Sequence, residues 1–250
     1  MASTTIPNER LEHDFVIQSG FGRASSVGDA TLILDRPAGM DEWLLKFEGI
    51  YRDAAGDHGK IPWAHKRPCP SLVSWLNAEG PKYIRPGARA AVVGCGLGED
   101  ACLLAERGYE VTAFDCCPSA IEHARKLHPE YCGMFVEADL LRLPAKLVHR
   151  FDLVVEVHTL QALPPHNRHA LASGMSRLLS PRGVLVAIAR GRDDSIPVDS
   201  LQGPPFPFTA KELTDLMASC GLAPVRPVDD FTDDNSPPVR RLRGAFQKSA

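Results

Sequence analysis

No stretch of the 250 residues stays apolar for the eighteen or so positions that a membrane-spanning helix needs. The opening MASTTIPNERLEHDF carries acids and has no apolar centre, so it is not read as a secretory leader. A basic excess is also missing. Lys and Arg number 28 against 31 Asp and Glu, a formal net charge of −3, so nucleic acid and anionic membranes are not the expected partners. The basic stretch VRRLRGAFQK near the end is read as a solvated strand edge. No C-x-x-C pair occurs among Cys69, Cys95, Cys102, Cys116, Cys117, Cys132 and Cys220. Their odd number and scattered spacing argue against a disulfide framework and a cysteine zinc site. Free thiols in a reducing cytoplasm are the expectation. No internal repeat or low-complexity tract is visible.

What is present is an alternation of apolar runs and helical patterns. Residues 31–35 read as a short strand. Residues 41–51 read as a helix with Asp41 at its N-cap. Residues 71–80 read as another, with Ser71 as cap and Gly80 as stop. Strands follow at 89–95, 109–115, 133–139, 151–157, 183–190 and 239–248. Helices are expected at 99–108, 118–128, 166–183 and 209–221, the last opened by a Thr209/Glu212 capping box. Continuous apolar strands alternating with helices imply an α/β fold, a mostly parallel Rossmann-like sheet with helices on both faces. Ligands of such sheets bind beyond the carboxyl ends of the strands.

The most informative stretch is AVVGCGLGEDA, where an apolar strand runs into Gly94, Gly96 and Gly98. A dinucleotide fingerprint would place a small residue at position 99, and Glu99 stands there instead. With Asp100 it puts two carboxylates into the first helical turn, which repel a pyrophosphate. A nicotinamide-dependent oxidoreductase is disfavoured on this ground. Asp115 ends the second strand and is placed to accept from both ribose hydroxyls. Asp139 ends the third, where it can meet an adenine amine with Leu140 against the ring and Cys116 near it. A nucleoside without phosphates and with a cationic tail describes S-adenosylmethionine better than a nicotinamide dinucleotide. Gly94, Cys95, Gly96 and Gly98 are read as the turn that binds this cofactor, with Cys95 there for its small size rather than its reactivity, and no metal site is read.

The ordered segments GCGLGED, AFD, EADL, FDLVVEVHTLQALPP and LLSPRGVLVAIAR resemble the motifs of class I S-adenosylmethionine-dependent methyltransferases over about residues 85–250. That resemblance implies seven strands, the last antiparallel, with residues 81–250 as the methyltransferase domain and 1–80 as an N-terminal cap. Trp43, KIPWAHKRPCPSLVSWL, LQALPPHNR and GPPFPFTAKEL further resemble the thiopurine, thiol and halide methyltransferase group. By that resemblance Trp43 and Trp63 close over the cofactor, and Gly203, Pro204 and Pro205 shape the acceptor pocket. Ala64 and Val157 depart from the group, which usually has an acid and often an aromatic residue there.

The expected activity is methyl transfer to a small molecule, a thiol, another chalcogen or a heteroaromatic nitrogen, by in-line displacement. Such acceptors need little or no general base. A hydroxyl or amine of a secondary metabolite would need one, and His158, after the fourth strand, is the candidate. Glu156 is a candidate contact of cofactor or acceptor. His166 and His169 are read as a solvated helix face. A protein that binds the cofactor without turnover stays open, as does the oligomeric state, with a monomer favoured.

Overall fold

The computed structural model describes residues 31–249. Residues 1–30 of the expected cap lie outside the described residues. In chain order the elements are β1 (Thr31–Ile33), α1 (Met40–Ala54), α2 (Pro70–Ala78), α3 (Gly80–Tyr83), β2 (Arg89–Val93), α4 (Glu99–Glu106) and β3 (Glu110–Asp115). Then come α5 (Pro118–Leu127), β4 (Phe135–Glu137), β5 (Arg142–Pro144), β6 (Phe151–Val157) and α6 (Arg168–Leu178). The chain finishes with β7 (Leu179–Arg190), α7 (Ala210–Ser219), β8 (Leu222–Pro224), β9 (Asp229–Thr232) and β10 (Arg240–Lys248).

The main sheet runs β4-β3-β2-β6-β7-β10-β8. Its first five strands are parallel, and β10 inserts antiparallel between β7 and β8. Strand periodicity explains why both faces are apolar. Ala91, Val93, Val154, Leu185 and Ala187 face Met175 and Leu178 of α6 and Leu213 and Met217 of α7. Their neighbours Ala90, Val92, Leu153, Val155 and Val186 face Leu72 and Trp75 of α2, Leu104 of α4 and Ile121 of α5. The expected boundary after residue 80 falls inside α3 (Gly80–Tyr83), just past α2, whose apolar face enters this core. Helix α1 links the first of these clusters to a third, smaller one at the strand ends. Met40 enters the first cluster, while Tyr51 and Ala54 meet Leu97 and Cys117, which follow β2 and β3 directly. α1 therefore lies over the carboxyl ends of the strands.

Several boundaries differ from the sequence reading. The helix expected over 166–183 ends at Leu178, and Leu179 already pairs with Phe151. The ladder slips between Phe151 and Leu153, and Gly183 permits the bulge: a Cβ there would stand 2.6 Å from the Phe151 carbonyl oxygen. The sheet has eight strands where seven were expected. The extra one, β9, pairs with the 240–243 part of β10, while β8 takes the 246–248 part of the same edge. Seven positions across the sheet are thus retained. The basic tail is not simply solvated: Arg240, Arg241 and Arg243 pair with Asp230, Asp233 and Asp229 at 2.6–2.8 Å. Asp41 does not cap α1. Gly39 occupies that position and Asp41 pairs with Arg36 at 2.9 Å. Cys69, not Ser71, caps α2, and Gly80 opens α3 rather than stopping the chain.

The capping box is present as expected. Thr209 Oγ1 accepts from the Glu212 amide at 3.1 Å, and the Glu212 carboxylate accepts from the Thr209 amide at 3.2 Å. Thr209→Ala removes one half of it and should cost about 1 kcal/mol. Urea unfolding of the variant against the parent chain measures this as a lower midpoint at unchanged slope.

Candidate active site

The three glycines after β2 all have positive φ, 59° at Gly94, 53° at Gly96 and 93° at Gly98, and each is hemmed in by a different neighbour. A Cβ at Gly94 would come 2.5 Å from Thr159 Oγ1, which itself donates to the Val93 carbonyl at 3.0 Å. One at Gly96 would come 3.0 Å from the Tyr51 hydroxyl. One at Gly98 would come 2.5 Å from the Phe135 ring, so Gly98 lets α4 close on β4. The turn is thus shaped by β6, by α1 and by β4 together. Cys95 sits inside it with its amide on the Phe114 carbonyl, and burial pushes its thiol well above the usual range.

Asp115 links this turn to β3. One carboxylate oxygen accepts from the Gly96 amide at 3.1 Å, the other from the Cys117 amide at 3.0 Å. Burial raises its pKa. A carboxylate accepts at about four lone-pair sites, so two such bonds leave capacity for two more. At the end of the next strand, Asp139 accepts from the Leu141 amide at 2.8 Å and from Arg36. Arg36 was not singled out in the sequence; it lies 103 positions away. Leu140 beside it is buried. Cys116 is exposed.

An aromatic column covers these strand ends. Tyr51, Trp63, Phe47 and Trp43 follow one another at ring-centroid distances of 5.6, 5.6 and 6.2 Å, and Trp43 ends edge-on against Phe206 at 5.8 Å. Trp63 Nε1 donates to the Tyr51 hydroxyl at 2.8 Å. The column therefore reaches from Gly96 to the residue after Gly203, Pro204 and Pro205. Positions 43, 47 and 51 are four apart on α1, a spacing that puts them on one helix face. That spacing was the available signal for Phe47 and Tyr51, which the sequence reading passed over.

At the end of β6, Glu156 is 0% exposed. One carboxylate oxygen accepts from the Leu160 amide at 2.9 Å, while the other, also buried, has no partner. Burial raises its pKa to about 7. Glu156 thus organises the turn that carries His158 and Thr159. His158 has a left-handed backbone, φ 67°. Arg241 donates to its Nε2 at 3.2 Å, and Arg241 is itself held by Asp233 at 2.7 Å. Burial, then the positive charge of Arg241, lowers the imidazole pKa to about 3. Asp100, read only as a helix-start acid, accepts from the Cys69 amide at 2.7 Å and ties α4 to the start of α2; burial raises its pKa to about 6. His166 and His169 do not form a metal site with a third ligand among the described residues.

The sequence matches the family described as Thiopurine S-methyltransferase (TPMT) over residues 53–247, most of the chain. The chain belongs to the thiopurine S-methyltransferase family. It is similar to probable thiol methyltransferase 2 of Arabidopsis thaliana, 27% identical over 178 residues, covering 69% of this chain and 73% of the relative. It is similar to thiocyanate methyltransferase 1 of Brassica oleracea, 27% identical over 175 residues, with 68% and 72% covered. Among solved structures, the 1,6-didemethyltoxoflavin-N1-methyltransferase of Burkholderia thailandensis shares the fold, with a TM-score of 0.68 and 20% identity, covering 91% of this chain and 99% of that one. The family member described here is an S-adenosylmethionine-dependent methyltransferase of small molecules. No helix among the described residues is long and apolar enough to cross a membrane.

Glu156 sets a pH signature. Its pKa is about 4.5 when the chain is unfolded and about 7 when folded, so the folded state holds the proton more tightly. The resulting stability is complete below pH 4.5 and is lost as pH rises through 7. Glu156→Gln keeps an acceptor for Leu160 without a charge. At pH 8 the variant should be more stable than the parent by up to about 3 kcal/mol, and the difference should shrink toward pH 4.5. Chemical unfolding at both pH values checks it; a variant less stable at pH 8 would contradict the assignment.

Proposed function

We propose that the chain methylates small acceptors that bring their own nucleophile, sulfur or another chalcogen first and heteroaromatic nitrogen second, by positioning rather than proton transfer. The observation that carries this reading is the state of His158. A general base needs a free acceptor nitrogen with a pKa near the working pH. The His158 Nε2 is occupied by Arg241, and the ring is pushed far below that range. Arg190 and the Asp233-paired Arg241 stand beside His158 and disfavour a cationic imidazole there. The similarity to thiol and thiocyanate methyltransferases supports the same acceptor class.

The residues present fit the cofactor. Asp115 has acceptor capacity left for two ribose hydroxyls, and the Gly94–Gly96 turn lets the backbone come close to the nucleoside. Cys116 is assigned to the adenine ring and Asp139 to its amine, whereas the side chain of Leu140, expected against the ring, packs on Gly174 in the core. Glu156 is assigned to hold the turn beside the cofactor rather than to move a proton. Trp43 and Trp63 belong to a cap that keeps water from the nucleophile, and the stretch between them carries that role for residues 1–80. S-adenosylmethionine, when bound, supplies both the methyl group and its leaving group. The chain's part is to hold the acceptor in line and dry. Seven free cysteines fit the reducing cytoplasm. The pairing of the C-terminal arginines with aspartates fits a small acceptor better than nucleic acid.

Calorimetric titration with S-adenosylmethionine tests the placement. Asp115→Ala should weaken binding about 10- to 100-fold, the worth of hydrogen bonds to a charged group. Turnover of a thiol panel by His158→Gln tests the mechanism. Loss of a general base costs about 10²- to 10⁴-fold, whereas the positioning reading expects a small change and an unaltered pH profile. A large loss that alkaline pH restores would return the base role to His158 and the acceptor to oxygen or nitrogen.

A further inference from the structure

The end of β3 places two thiols beside the carboxylate assigned to the ribose. One Asp115 carboxylate oxygen and the Sγ atoms of Cys116 and Cys117 all lie within 4.8 Å of one another. Consecutive residues of a strand point to opposite faces. Here the strand stops at Asp115 and Cys117 is already the N-cap of α5, so the turn gathers both thiols beside the carboxylate. Two of the donors are anchored. Asp115 is gripped by the Gly96 and Cys117 amides, and Cys117 is buried against Tyr51, Leu97 and Ala120. The third, Cys116, is exposed and gives a route in from solvent.

Two thiols and a carboxylate suit a thiophilic divalent cation of the zinc and cadmium class, and not magnesium or calcium, which take oxygen ligands. Metal–sulfur bonds of about 2.3 Å in a tetrahedral shell place ligand atoms roughly 3.5–4 Å apart. The three donors reach that spacing with a movement of about an ångström.

We propose that Asp115, Cys116 and Cys117 chelate one thiophilic divalent cation, and that this cation and the cofactor exclude one another. The second half rests on the assignment of Asp115 to the ribose. Binding breaks two S–H bonds, whose protons pass to solvent, and forms two sulfur–metal bonds and one oxygen–metal bond without any change of oxidation state. The carboxylate lone pairs left free by Gly96 and Cys117 are then taken by the metal and are closed to hydroxyl donors. The site makes methyl transfer sensitive to free thiophilic metal, through the cofactor and not through the acceptor.

The test is titration of the full chain with Cd²⁺ alone under a non-thiol reductant, read by the ultraviolet thiolate-to-cadmium absorption band. One tight equivalent is expected. It should be weakened in Cys116→Ser, whose exposed position carries little folding risk, and lost in the Cys116→Ser/Cys117→Ser double variant. A first equivalent that survives in the double variant, carried by the five other cysteines, overturns the site. Calorimetric titration with S-adenosylhomocysteine then tests the exclusion. With Cd²⁺ at about ten times its own dissociation constant, the apparent dissociation constant should rise about tenfold; an unchanged value overturns it. If the metal-free chain fails to bind S-adenosylhomocysteine, the cofactor placement fails, and the absorption band still decides the metal site.

Discussion

A buried carboxylate holds the carboxyl edge of the sheet together. Asp115, 8% exposed, accepts from Gly96 on one side and from Cys117 on the other, so the turn after β2 and the start of α5 are fixed to one point. Removing a carboxylate from water is costly, and these amide bonds offset the cost. The positive φ values of the glycine turn follow from the same constraint: the backbone must fold back to present an amide to β3. With Thr159 against Gly94 and Phe135 against Gly98, a larger residue at either glycine would have to displace one of these side chains.

Polar groups elsewhere at this edge work in the same way, each fastening one loop to another. Glu156 fastens the turn after β6, Asp100 the start of α2, and Asp139 the Arg36 segment before α1. Arg168 reaches the Phe206 carbonyl at 2.7 Å and lies over the Phe208 ring at 3.6 Å, which fixes the segment after Gly203. The aromatic column from Tyr51 to Phe206 spans these fastened loops. Positioning by the surrounding loops is what a displacement reaction needs when acceptor and donor bring the reactive groups.

Much of the architecture was legible. Continuous apolar runs at 89–95 and 151–157 placed the central strands, and Thr209 with Glu212 marked the start of α7. The short edge strands β5, β8 and β9 were not legible, because three or four residues carry no periodicity and their pairing depends on a partner far along the chain. The ends of α2 and α6 were misplaced for a related reason. Asp100 sits at the start of α2 from 31 positions away, and a bulged ladder to Phe151 claims the residues after Leu178.

The residue types at the candidate site were readable by themselves: alternate glycines, Asp115 and Asp139 at strand ends, and tryptophans before the domain. Local spacing dictates these, since a turn and a strand end are set by neighbours in the chain. What each side chain does was decided only by tertiary structure. Whether His158 is free or held by Arg241, 83 positions away, is not written in the sequence around either residue. Nor is the shift of Glu156 to about 7, which comes from burial. Burial and long-range pairing set protonation and hydrogen-bond partners, and both exist only once the strands have brought distant residues together.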